Sequence, residues 1–87
     1  MRLLYFAWLR DKAGIASEEV NPPSEVTTVA DLIEWLKARG DGHTEAFADP
    51  AIVRVAVNQE YAKLEDSVAA GDEVAFFPPV TGGKMHF

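Results

Sequence analysis

Cysteine is absent from the 87-residue chain, which excludes a disulfide scaffold, a thiolate zinc site, an iron–sulfur cluster and a catalytic thiol. Histidine is scarce. His43 and His86 lie far apart and share no helical or hairpin ligand spacing, so no metal site is expected. Positive charge is also short, since eight Lys and Arg against fourteen Asp and Glu leave a net charge of −6. Such a chain repels phosphate backbones and has no basic cluster. Nucleic acid and anionic membrane are therefore not expected as partners. The longest early apolar run, Leu3 to Leu9, is far too short to span a bilayer. Asp11 and Lys12 follow it where a signal peptide would have its small-residue cleavage site, so a cytoplasmic location is expected.

What is present fits one globular domain. Apolar residues make up 48% of the chain and charged residues 25%, the balance of a folded rather than a disordered protein. A domain of this size buries only roughly 60–65% of its unfolded surface, so its stability is modest.

Arg2 to Trp8 (RLLYFAW) is apolar on both alternating faces, the pattern of a central strand buried on two sides. Leu9 to Gly14 reads as a helical turn or tight loop ended by Gly14. Ala16 to Val20 reads as a short, partly acidic edge strand, stopped by Pro22-Pro23. Thr28 to Arg39 is the clearest element. Thr28 can cap it, Asp31 answers the cap, and Val29, Leu32, Ile33 and Leu36 form one helical stripe with Trp35 at its border. Gly40 is expected to stop it in the left-handed conformation. Asp41 to Asp49 reads as a polar loop with a helical turn around Thr44 to Phe47. Ile52 to Val57 is a strand with its valines inward, Tyr61 to Lys63 a stub, Gly71-Asp72 a turn, and Glu73 to Pro78 the last strand. Strand, strand, helix, strand, short strand, strand is an α+β order. With the apolar first and last strands parallel at the centre and the helix in their crossover, the fold is a ubiquitin-like β-grasp, a mixed sheet of about five strands on one main helix.

Catalytic patterns are missing. Ser17, Ser24 and Ser67 have no nucleophile elbow, and Gly40-Asp41-Gly42 ends a helix where a phosphate cradle would start one. Lys37 and Arg39 read as favourable contacts with the helix dipole. The C-terminal segment is the informative one. Phe76-Phe77-Pro78-Pro79-Val80-Thr81-Gly82-Gly83 runs from a buried strand through a stiff prolyl pair into two glycines. Together with Ala56-Val57-Asn58-Gln59, Gly71-Asp72-Glu73-Val74-Ala75 and the opening Leu4 to Gly14, it resembles the small, sulfur-carrying subunit of molybdopterin synthase. The likeness runs to Gly83 and is weakest between Ala16 and Asp49.

That resemblance implies a carrier that is not catalytic alone. An E1-like adenylating enzyme uses ATP to activate the last glycine carboxylate, which becomes a thiocarboxylate. The tail then enters the large synthase subunit, and sulfur passes to a pterin precursor of the molybdenum cofactor. By resemblance Gly83 carries the sulfur and Gly82 threads behind it, where side chains would block a narrow site. No cofactor is bound permanently. Residues 1–81 are the domain and 82–87 a flexible tail. Phe77, Pro78, Pro79, Val80 and Thr81, with Tyr61 and Arg10, are the expected partner contacts. Alternation sends Phe77 outward as an anchor if Val74 and Phe76 point inward; the alternative is that it packs against Tyr61 or its own loop. Arg10 is either a polar contact or simply solvated.

Lys84-Met85-His86-Phe87 depart from the pattern, because the family's chain ends at the second glycine. Either a peptidase trims them, or they are foreign to the natural chain, or the protein serves another pathway. A trimmed carrier for cysteine, thiamin or another sulfur metabolite and a β-grasp interaction module that carries no sulfur are the competing functions.

Overall fold

Leu3 and Tyr5 point inward along β1 (Arg2–Tyr5), 0% and 2% exposed, with Leu4 half-buried on the opposite side. The structure is a computed structural model and describes residues 1–79. The expected strand to Trp8, buried on both faces, is corrected. Ala7 turns the chain at φ 55° and ψ −134°, so the strand stops at Tyr5 and Phe6 is left 40% exposed. Helix α1 (Trp8–Ala13) starts at once, and Gly14 ends it at φ 83°, its N–H returning to the Arg10 carbonyl. The short β2 (Ser17–Glu19) then pairs antiparallel with β1 at the sheet's edge.

The main helix α2 (Val29–Lys37) forms as its stripe predicts. The Asp31 N–H donates to Thr28 Oγ1 at 3.1 Å, and the Asp31 carboxylate accepts from the Thr27 N–H and hydroxyl at 3.2 Å. The backbone bond from Thr27 is the chief cause that holds the Asp31 carboxyl below its ordinary range. The amides of Val29 and Ala30 donate to the Asp66 and Leu64 carbonyls at 2.9 Å, docking the helix start on a later loop. Val29, Leu32, Ile33 and Leu36 are all buried, and taking those side chains out of water contributes ~6–10 kcal/mol.

The end of α2 differs from expectation. Gly40 has φ 163°, which is extended backbone and not a left-handed stop, and it leads directly into a further helix, α3 (Asp41–Ala46). The expected loop and turn over Asp41 to Asp49 is thus a short helix followed by irregular chain. Thr44 secures it, its hydroxyl donating to the Lys37 carbonyl at 2.6 Å, while Ala46 and Phe47 bury at 1% and 0% exposure. Ile52, expected in a strand, lies instead in a 3-10 turn (Pro50–Ile52) and is 44% exposed.

β3 (Arg54–Val57) and β4 (Glu60–Ala62) form a hairpin through Asn58 and Gln59 at φ 51° and 70°, and β5 (Glu73–Phe77) follows the Gly71 turn. Among the described residues the sheet has five strands in the order β2-β1-β5-β3-β4. β1 and β5 are parallel at its centre, Leu3 beside Val74 and Tyr5 beside Phe76, and β5 is antiparallel to β3. Phe76 joins the layers, stacked on Tyr5 at 5.7 Å and edge-on to Phe47 at 4.8 Å between ring centroids. A mixed sheet on one main helix, with two shorter helices beside it, is the expected β-grasp. No helix among the described residues is long and apolar enough to cross a membrane.

Candidate functional site

The Phe6 N–H donates to the Phe76 carbonyl at 3.0 Å, extending the β1–β5 ladder one residue past β1. Pro78 has no N–H to continue it, and the Phe6 carbonyl accepts instead from Leu9 at 3.1 Å. The chain is therefore released from the middle of the sheet at Pro78, which is half-buried, and reaches the exposed Pro79. The expected site residues Val80, Thr81, Gly82 and Gly83, the extension Lys84 to Phe87, and the boundary between residues 81 and 82 lie outside the described residues.

Phe77 is not the surface anchor that alternation suggests. Val74 and Phe76 do point into the core, each 0% exposed, but Phe77 on the opposite side is itself only 3% exposed. Tyr61 meets it edge-on, ring centroids 6.0 Å apart, across the small Ala56 of the intervening β3. Self-packing against Tyr61 is the alternative that the geometry supports. Tyr61 itself is 67% exposed and takes over the role of accessible aromatic on this face. Arg10 is exposed on α1, just beyond the turn at Ala7.

Sequence reasoning missed the rest of this face. Leu4, Phe6, Ala56, Gln59, Glu73 and Ala75 line a groove of about 440 Å³ on the side of the sheet opposite Leu3, Tyr5, Val74 and Phe76. The signal for it in the sequence is Phe6, which falls on the outward side of the RLLYF alternation, opposite Leu3 and Tyr5.

Ala7 is unusual within this site. Gly14 at φ 83° and Gly71 at φ 92° provide other positive-φ positions in the fold, and Asn58 and Gln59 sit in a hairpin that favours that sign. At Ala7 the combination of φ 55° with ψ −134° suits glycine, and an L residue held there costs about 1–3 kcal/mol. Its side chain is exposed, so no core contact offsets that cost.

A second polar cluster lies under the β2 edge. Glu18 turns inward and its carboxylate accepts from the Tyr5 hydroxyl at 2.7 Å, His43 Nε2 at 2.8 Å and Arg39 at 3.2 Å. Burial pushes the Glu18 carboxyl up, but the bonds from His43 and Tyr5 and the Arg39 charge outweigh it, leaving it below its ordinary 4.5. Burial, reinforced by the Glu18 carboxylate, pushes the Tyr5 phenol well up. Arg39 also lies over Trp35, 5.1 Å from its ring centroid, so its role extends beyond the dipole contact expected from sequence. The cluster joins β1, β2 and α3 to the end of α2, and nothing in it supplies an activated nucleophile. Among the described residues no three His, Asp or Glu side chains are grouped to hold a metal ion.

Comparison with known proteins gives one consistent result. Residues 3–83 match the ThiS family. The molybdopterin synthase sulfur carrier subunit of Escherichia coli is 37% identical, over 95% of this chain and 99% of that protein. A putative molybdopterin converting factor, subunit 1, from Pyrococcus furiosus superposes with a TM-score of 0.75 at 35% identity, covering 91% of this chain and 95% of that one. The match to a chain in the crystal structure of the Amycolatopsis orientalis BexX/CysO complex has a TM-score of 0.68 at 25% identity. It covers 94% of this chain and 98% of that one.

Proposed function

The chain belongs to the ThiS family, and on that footing we propose that it is the sulfur-carrier subunit of a molybdopterin synthase, with Gly83 as the carrying residue. The observation that carries this reading is the tail exit. The central strand β5 delivers Pro78 and Pro79, and Val80-Thr81-Gly82-Gly83 follow directly in the sequence. The domain is the handle and the glycine carboxyl the reagent, so a protein without cysteine handles sulfur. Gly82 and Gly83 let backbone alone enter a narrow pocket.

An E1-like partner joins the Gly83 carboxyl oxygen to the α-phosphorus of ATP, with pyrophosphate leaving. A sulfur donor then displaces AMP, and the thiocarboxylate is carried to the large synthase subunit. There the thiocarboxylate sulfur bonds to a carbon of the pterin precursor, and water then cleaves the carbonyl–sulfur bond and supplies the oxygen that regenerates the carboxylate. ATP is consumed on the partner, and the carrier holds no permanent cofactor and is not catalytic alone. Residues 1–81 act as the folded handle in the cytoplasm, and 82–87 as the tail. Tyr61, Pro78, Pro79, Val80 and Thr81 make the partner contacts, with Arg10 beside them and Phe77 supporting Tyr61 from beneath.

In this sequence Gly83 is followed by Lys84, so its carboxyl is tied up in a peptide bond until a peptidase cuts there. Four further residues displace the carboxylate by up to about 13 Å when extended. Placement for attack on ATP tolerates errors of about an ångström. Those four residues also favour a second reading, a trimmed carrier serving a different sulfur metabolite.

The test mixes the chain ending at Gly83, and separately the full chain, with the adenylating enzyme, ATP and a sulfur donor. Intact mass should show one oxygen replaced by sulfur only in the chain ending at Gly83. Sulfur gained by a full chain that still retains Lys84 to Phe87 would refute Gly83 as carrier.

A further inference from the structure

We propose that the Ala7 methyl group is an interface contact for the larger partner that receives the tail, and that the strained turn is kept to present it. The proposal rests on the carrier reading above and adds a residue to it. Three observations carry it. The backbone of Ala7, at φ 55° and ψ −134°, is one that glycine adopts freely and alanine does not. Within the chain the Cβ gives nothing in return, because Ala7 is exposed and the turn would form with glycine. The residue is also placed where a partner must come. The bond from the Phe6 N–H to the Phe76 carbonyl sets the Phe6–Ala7 step beside Phe77–Pro78, where the tail leaves the sheet.

A methyl group held at a conformational disadvantage, with no use inside the molecule, has its use outside it. The surface around it sets the partner's chemistry. Phe6, next to it in the chain, is 40% exposed, and Pro79 at the neighbouring strand's exit is exposed, so the matching surface is apolar and borders the pocket that admits the glycines. Phe6 is exposed and Leu9 wholly buried, and the exposed Ala7 lies between them in the chain.

The experiment compares three chains ending at Gly83: unsubstituted, Ala7→Gly and Ala7→Ser. Each is titrated calorimetrically into the large synthase subunit, and each is melted alone. Ala7→Gly relieves the strain, and its melting temperature should rise by about 4–8 °C. Its binding should nevertheless weaken about fourfold, the effect of one methyl group leaving an interface. Ala7→Ser keeps the strained turn but adds a hydroxyl that an apolar partner surface leaves unpaired, so it should melt like the unsubstituted chain and bind at least as weakly as Ala7→Gly. A structural role alone would make affinity follow stability, opposite to the expected result. Equal binding by Ala7→Gly and the unsubstituted chain overturns the proposal and leaves the carrier reading standing. Ala7→Ser binding as tightly as the unsubstituted chain also overturns it, since the surface that meets this residue would then not be apolar. Failure of the unsubstituted chain to bind refutes the carrier reading, and this proposal with it.

Discussion

Gly42→Ala sets two physical effects against each other, and the structure determines which one prevails. Gly42 lies in the first turn of α3, where exchanging glycine for alanine ordinarily stabilises a helix by roughly 0.5–1 kcal/mol. Its surroundings oppose that. A Cβ on Gly42 would stand 2.7 Å from the Lys12 carbonyl oxygen and 3.2 Å from that of Ala13, where an ordinary contact begins at 3.4 Å. Both obstacles are backbone at the end of α1, so no side chain can swing aside. α1 and α3 must separate by several tenths of an ångström, and behind them Leu9 and Phe47 are both 0% exposed. Overpacking of this kind costs about 1–3 kcal/mol, more than the helix propensity returns, leaving a net loss of about 1–2 kcal/mol. Urea denaturation followed by circular dichroism checks it. With a slope near 1 kcal/mol/M for a domain of this size, the midpoint should fall by about 1–2 M with the slope unchanged. A midpoint equal to or above that of the unsubstituted chain would refute the close approach of α1 and α3.

Leu36→Ala should cost about 2–5 kcal/mol, since the side chain is fully buried beneath the sheet, and an unchanged urea midpoint would reject the placement of α2. Phe77→Ala should cost about 3 kcal/mol in the same assay; a surface anchor would leave the midpoint in place and change only partner binding. Glu18→Gln should lower stability at neutral pH by about 1–2 kcal/mol, through weakened bonds to Tyr5, His43 and Arg39. Because folding depresses the Glu18 carboxyl, its contribution is present above the ordinary 4.5 and lost as pH falls through the lower folded value. Stability measured against pH should therefore decline less steeply below 4.5 in the variant, and parallel acid limbs would show that Glu18 is not held in its charged form.

Features fixed by near neighbours in sequence were legible without coordinates. The stripe of α2, its Thr28 cap and the Gly14 stop each depend on residues within about two turns of one another. The parallel centre was legible because the first and last strands are the most apolar. Features fixed across the fold were not. Ala7 carries no local sign of a positive φ, so nothing marked the end of β1. α3 holds Gly42, His43 and Thr44, none of them a strong helix former, and stands because Thr44 caps α2 and Phe47 fills the core. At the candidate site, alternation correctly gave the side of the sheet that Phe77 occupies, but its burial depends on Tyr61 from two strands away. From sequence Glu18 is simply one of the acidic residues of an exposed edge strand. That description suits Glu19, 75% exposed, whereas the partners of Glu18 come from three distant segments.

The position of β5 between β1 and β3 has a mechanical consequence. A pull applied through Pro79 acts along the length of β5, whose two flanking ladders then resist together in shear. Had the tail grown from β4 at the sheet's edge, the same force would have been resisted by one ladder only. Resistance to forced unfolding is set by the rate of crossing that barrier, and a strand clamped on both sides must break many bonds at once. The domain can therefore be dragged by its tail, as when a seated terminus is withdrawn from a tight pocket, and the grip of the pocket should fail before the sheet does.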